Sequence, residues 1–179
     1  MVRTVGMISA DTSDVAAVSG SDYREAMSRI AGAVHVVASD GPAGAGGATM
    51  TAVVSVTDAP PTVLICLNRT GRFNAIVRGN GVFSVNTLVA GDEALANVFA
   101  GVGGVEHADR FAQGAWRRGE SGVPVLDGAR AVLECRVGEV SDVGSHTVIF
   151  GRVEAVHVGE PRPALLYVDR SYRGLPALD

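Results

Sequence analysis

Apolar and polar residues change period several times along this 179-residue chain, and each change marks an element. Tyr23, Ala26, Met27 and Ile30 recur at helical spacing. Ser21 or Asp22 can cap that helix, with Glu25 three residues past Asp22, and Gly32 ends it. Val34 to Ala38 reads as a short apolar strand, and the following DGPAGAGG is a glycine-rich loop. Arg72 to Val77 and Ala94 to Phe99 carry short helical patterns, the first stopped by the GNG at 79–81. Val82 to Leu88 and Leu165 to Val168 read as strands. Ala131 to Val143 and His146 to Val158 read as two long strands joined through GSH as a hairpin. Residues 101–111 form a loop with a charged turn, and 112–130, which carry the only tryptophan, Trp116, are irregular. Residues 1 to about 20 are small, polar and aperiodic, which predicts a flexible tail ahead of one domain over 21–179. Many strands with few short helices predict a mainly β fold. A closed or nearly closed antiparallel barrel fits better than a doubly wound sheet.

The segment 46–68, GGATMTAVVSVTDAPPTVLICLN, carries the most information. It reads as a strand, a double-proline turn and a second apolar strand. Thr49, Thr51, Ser55 and Thr57 fall at odd positions, with Met50, Ala52, Val54 and Val56 between them. Strand faces alternate with period 2, so the four hydroxyls are expected on one face. A row of hydroxyls and free backbone N–H groups beside an apolar wall suits a flavin nucleotide, with its polar chain, phosphate and flat ring. An edge strand whose threonines face water fits the same pattern, because threonine is a good strand former.

Composition narrows the classes. Hydrophobic content is 47% and charged content 19%, enough apolar material for a substantial core. No apolar run approaches the roughly 20 residues that span a bilayer, and no secretory signal is evident, so a cytoplasmic protein with no membrane partner is expected. Cys66 and Cys135 lie in apolar strand-like runs and read as reduced core residues. The four histidines show no metal-ligand spacing. All 15 basic residues are arginine, so any cationic phosphate contact must come from Arg. Net charge is −4 with no basic cluster, which argues against nucleic acid.

Nucleotide motifs of the helix-terminal kind are absent. The glycines of GPAGAGG lack a following amphipathic helix, and no P-loop or nucleophile elbow occurs. Few groups suit acid–base or covalent catalysis, so an enzyme of this sequence would rely on a bound cofactor.

The pieces GATMTAVVSVTDAPPTVLICLNRT, VFSVNTL, DRF, VGSHTVIFGRVEAVHV and LLYVDRSYRGL together resemble the short-chain flavin reductases, the reductase components of two-component flavin monooxygenases. The likeness covers about residues 22–175 and extends to the NADH:FMN reductase of pyrimidine degradation and to hydroxyphenylacetate and phenol oxygenase reductases. It implies a flavin-binding split β-barrel with a few short helices, a homodimer, FMN or FAD as flavin, and NADH (or NADPH) as hydride donor. It also implies a monooxygenase partner that receives the reduced flavin. The competing reading is a non-catalytic flavin- or haem-binding module on the same barrel. A third, an oxidase of a phosphorylated vitamin, is disfavoured by the absence of lysine and of a second arginine cluster.

Carried onto this chain, the resemblance builds the flavin groove from Thr49, Met50, Thr51 and Ala52 at the ring. Ser55, Val56 and Thr57 then lie towards the ribityl phosphate, followed by Asn68, Thr70 and Arg72. Arg72 or Arg69 could neutralise phosphate, or Arg72 could be a solvated helix-start arginine. Cys66 and Leu67 could pack near the ring, or serve only as strand core. Gly144 and His146 match a turn that in the family commonly reads Gly-Asp-His, with Ser145 here replacing the Asp. His146 is then expected near the nicotinamide, where a neutral imidazole can hydrogen-bond the carboxamide. Tyr172 could cover the nicotinamide or flavin. Arg173 could hold a pyrophosphate or pair with Asp169. Phe111 could stack on adenine or pack in the core, and Asn86 is expected to bond backbone internally.

Overall fold

The computed structural model describes residues 18–177. In chain order they form α1 (Gly20–Ser28), β1 (Gly32–Ala33), β2 (His35–Ser39), β3 (Gly46–Met50), β4 (Val53–Asp58) and β5 (Pro61–Asn68). Then come α2 (Arg72–Asn80), β6 (Val82–Thr87), α3 (Glu93–Phe99), a 3-10 turn (Asp109–Ala112), β7 (Trp116–Arg118) and β8 (Pro124–Leu126). The last four strands are β9 (Ala131–Val143), β10 (His146–Val158), β11 (Ala164–Val168) and β12 (Ser171–Leu175).

Seven strands make one antiparallel sheet in the order β3-β2-β6-β9-β10-β5-β4. β3 and β4 follow one another in the chain yet lie at opposite edges. Only Thr51 and Ala52 separate them, and such a link spans about 10 Å at most. The sheet must therefore curl until its edges meet at that corner. Val53 N–H donates to Thr51 O there at 2.9 Å, and no ladder joins the two edges. The result is a split barrel, open where a closed one would be sealed.

Alternation along each strand divides the core in two. Val37, Phe83, Val85, Ile65, Leu67 and Ile149 fill the barrel interior with Phe73, Ile76 and Val77 of α2. Val36 faces the other way, into a second cluster with Leu95 and Phe99 of α3 and Val125 and Leu126 of β8. Gly47 permits that second layer: a Cβ on it would collide with the Phe99 ring. The only buried side-chain run of polar type in β6, Ser84 and Asn86, bonds Pro124 O, Val36 O and Leu126 N, the internal role expected for Asn86.

Several elements differ from the periodicity. Ser19, in place of Ser21 or Asp22, caps α1 by accepting from Asp22 N–H at 3.0 Å. α2 runs on to Asn80 and stops at Gly81, whose φ of 70° suits glycine. Residues 112–130 are not wholly irregular, since β7 and β8 pair within them. The segment after β11 is β12, paired residue for residue with it, where sequence alone left an exposed tail open. Both strands of these added hairpins are too short to carry a visible period. The tail expected over residues 1 to about 20 lies mostly outside the described residues.

Candidate functional site

A cavity of about 430 Å³ opens between the end of β3, α3 and the β11–β12 hairpin. Thr49, Met50, Thr51, Asn97, Tyr167 and Tyr172 line it, with Val34, Ala100, Val102 and Arg170. Each wall is held by a specific contact. Thr49 Oγ1 donates to Ala96 O at 2.7 Å, which pins β3 to α3. Tyr172 OH donates to Asn97 Oδ1 at 3.2 Å and ties the hairpin to the same helix. Tyr167 and Tyr172 are cross-strand partners whose rings meet edge to face at 5.3 Å. Burial, then the neighbouring Tyr167 and Glu93, push the Tyr172 phenol above its usual range.

Thr51 and Ala52 sit at the corner where the ladder is interrupted, so their exposed backbone N–H groups have no ladder partner. This is the corner assigned to the flavin ring edge by resemblance. Behind it, His35 stands opposite Met50 and exchanges a hydrogen bond with Thr87 Oγ1 at 3.0 Å. Burial drives the His35 imidazole down to about 4, so it is neutral near pH 7.

A second cluster forms where β5 ends against the β9–β10 turn. His146 pairs with both Asn68 and Val143, and Arg69 N–H donates to Ser145 O at 2.9 Å. Asn68 Oδ1 accepts from Thr70 N–H and Thr70 Oγ1 at 3.0 and 2.9 Å, an Asx turn that shapes the loop into α2. Gly144 takes φ 56° in the two-residue turn. His146 is exposed, and its one recorded side-chain contact is Nδ1 to Ser145 Oγ at 2.9 Å. Thus Asn68 stands opposite His146, although the two are 78 positions apart in sequence.

The four-hydroxyl row does not hold together. Thr49 belongs to one sheet edge, Ser55 and Thr57 to the other, and a bulge between Ser55 and Thr57 breaks the alternation. The register slip that the corner imposes is invisible to a period-2 count. Thr57 Oγ1 accepts from Ala59 N–H and so serves its own turn. Val53 lies opposite Ile65, which puts the Thr51–Ala52 corner at the Asn68 end of β5. Ser55 lies opposite Val63, some five residues up the strand from Asn68, about 17 Å at the usual rise. Ser55, Val56 and Thr57 are all exposed there.

The remaining residues are placed as follows. Cys66 is half-buried opposite Val148, and Leu67 is in the barrel core. Arg72 pairs with Glu106 at 2.8 Å. Phe111 packs in an aromatic cluster with Phe99 and Trp116, at 5.3 and 5.1 Å between ring centres. Arg173 is exposed, and Asp169 pairs with Arg29 instead, at 3.1 Å. Sequence reading missed Asn97, Tyr167 and Arg170 of the cavity wall. LLYV and SYRG on either side of a two-residue turn were a usable hairpin signal for Tyr167. Asn97 had none, because only folding brings α3 to the hairpin. Among the described residues, no group of three or more His, Cys, Asp or Glu could hold a metal ion.

Known proteins share this sequence pattern and fold. The flavin reductase like domain matches residues 27–176. An FMN reductase (NADH) RutF from Methylorubrum populi is 46% identical over 170 residues, covering 95% of this chain and 83% of that protein. Another from Stutzerimonas stutzeri is 44% identical over 160 residues, covering 89% and 91%. Among solved structures, the flavin reductase component of a bacterial two-component tryptophan halogenase superposes with a TM-score of 0.83 at 28% identity, over 89% of this chain and 100% of that one. An NADH:FAD oxidoreductase of Streptomyces globisporus, solved with NAD and FAD fragments, gives 0.79 at 29% identity over 89% and 96%. By sequence and by fold, this chain belongs to the flavin reductase like family.

Proposed function

We infer that this protein is an NAD(P)H-dependent flavin reductase, with NADH as the favoured donor and FMN or FAD as acceptor, that supplies reduced flavin to a partner monooxygenase. The single observation that carries the reading is the broken ladder at Thr51–Ala52 beside a cavity walled by two tyrosines. A flat heteroaromatic ring with polar edges fits such a place: aromatic faces cover the ring and unladdered N–H groups meet its acceptors. Thr49 is committed to α3 and holds the wall, while Met50 and Thr51 offer the contact surface and exposed Ala52 follows at the corner. When bound, the nicotinamide supplies a hydride that the flavin accepts, so the chain's own task is to position the two and exclude water. His146 carries an exposed imidazole on a tight, hydrogen-bonded turn, suited to grip a carboxamide without moving a proton. Asn68, Thr70 and Arg69, on the adjacent loop, are suited to the flavin chain.

The same reading includes a homodimer. α1 buries none of its residues in the single chain, and Tyr23 and Met27 on it and Ile30 just after it are exposed, as are Val54 and Val56 of the free edge strand β4. A second copy would cover such surface. No helix among the described residues is long and apolar enough to cross a membrane. The test is NADH oxidation followed by absorbance with FMN and with FAD, repeated with NADPH. Flavin-dependent oxidation is expected. Flavin binding with no oxidation by either nucleotide would leave the non-catalytic binding module in its place.

A further inference from the structure

Among the described residues, Arg170 is the only charged one that lines the cavity with Tyr167 and Tyr172. Its backbone is strained. Asp169 and Arg170 form the two-residue turn between β11 and β12, with φ of 50° and 57°. Turns of this kind favour Asn, Asp or Gly at both positions, and arginine gains nothing locally from the left-handed conformation. Such an outlier persists where the side chain has a task. Arg173, three residues on, has no positive φ and does not line the cavity.

Arg170 is also engaged. Its Nη2 donates to Glu25 Oε2 of α1 at 2.7 Å, and the two side chains are 59% and 50% exposed. α1 touches the body of the protein at this turn by two further contacts: Arg29 to Asp169 at 3.1 Å, and Asp169 N–H to Ser28 O at 2.7 Å. No α1 residue is buried. The helix is therefore held at the turn that carries Arg170 by polar contacts whose side chains are exposed, and exposed ion pairs are weak and exchangeable.

We propose that Arg170 is the anion-binding residue of the cavity, taking a phosphate of a bound nucleotide, and that Glu25 occupies it as an internal competitor until the nucleotide arrives. This rests on the reductase reading and gives a role to a residue that the sequence reading left without one. A guanidinium offers a phosphate two parallel N–H donors, and a phosphate presents more charge and more acceptors than one exposed carboxylate. Exchange of Glu25 for phosphate is then favourable, and it frees α1 from one of its ties.

Two nucleotides could supply the phosphate, so binding is measured with matched pairs: FMN against riboflavin, and NADH against reduced nicotinamide riboside. Arg170→Asn is the main variant, because Asn suits the turn while removing the charge. Its thermal midpoint should hold or rise, while Kd for one phosphorylated ligand rises roughly tenfold and Kd for its phosphate-free mate stays put. The affected pair identifies the source. Glu25→Gln should lower the same Kd about threefold and keep its salt dependence, whereas binding by Arg170→Asn should depend less on salt. Unchanged affinity for both phosphorylated ligands in Arg170→Asn would overturn the proposal, as would equal loss for a ligand and its phosphate-free mate. Tighter binding in Glu25→Gln that persists in the Arg170→Asn background would overturn the competitor role. Those binding outcomes stand apart from the function assay: NADH oxidation that survives with no effect on phosphate binding sinks this proposal alone.

Discussion

β10 carries a histidine near each end. At one end, His157 Nε2 lies 2.7 Å from Oε1 of Glu134, a carboxylate with no solvent exposure. The same carboxylate accepts from Ser121 Oγ at 2.6 Å and from the N–H groups of Ser121 and Glu120 at 2.8 and 3.1 Å. At the other end, His146 sits on a two-residue turn and contacts only its neighbour Ser145. The first histidine is one of several donors to a saturated, buried acceptor, and the socket pins the 119–122 loop to the sheet. The second keeps capacity to spare on an exposed turn. A satisfied buried group is what structure needs, and an unsatisfied exposed one is what a ligand needs.

Removing the socket should have the largest effect. Glu134→Ala would leave four partly buried donors without their acceptor, a cost of about 2–3 kcal/mol in chemical denaturation. A loss below about 1 kcal/mol would mean the His157 end is no anchor, and the contrast would fail.

Acid should be next. Burial forces the His35 imidazole down to about 4 from an ordinary 6.5, so the unfolded chain binds more protons between those values. Its contribution to stability is complete above pH 6.5 and is lost as pH falls through about 4, up to about 3 kcal/mol. Glu134 behaves in a lower window. Burial raises its carboxyl, but the Ser121 hydroxyl, His157 and the Ser121 and Glu120 N–H groups outweigh that and bring it to about 2 from 4.5. Its contribution is full above pH 4.5 and disappears towards 2. Stability measured against pH should show the upper window flattened in His35→Gln and the lower one in Glu134→Ala. The reverse assignment would refute both attributions.

His157→Gln should cost about 1–2 kcal/mol in stability and leave the KM for NADH unchanged. The smallest stability effect, within about 0.5 kcal/mol, is expected for His146→Ala. That variant should instead raise the KM for NADH about tenfold while flavin affinity moves less than twofold. Equal losses of NADH use and flavin binding, or a KM shift in the His157 variant to match, would erase the distinction between the two ends.

Much of this architecture was legible beforehand. The β9–β10 hairpin was readable to the residue, because two long alternating runs flank a glycine turn and both signals are local. The Gly144–His146 turn and the Thr49–Ala52 stretch were likewise visible as motifs. Asn86 could be read as internally bonded from its place in an apolar run. The cavity wall was only half legible. Thr49, Met50, Thr51 and Tyr172 were on the page, but Asn97 and Arg170 meet them only through α3 and a hairpin turn. Arg72 keeps both of its readings: it begins α2, and its exposed side chain pairs with Glu106 from a distant loop that no local pattern announced.

By itself the sequence determined the strand-rich class, the hairpin, the family and the stretch that builds the corner at residues 50–53, since period, turn residues and motif order are all encoded within a few positions. Tertiary structure decided the rest. It put β3 and β4 on opposite edges of one curled sheet, which split the expected hydroxyl row. It also chose which of two histidines on one strand would be buried on a carboxylate and which left free. Burial and pairing depend on what the chain brings from tens of residues away, and no local period carries that information.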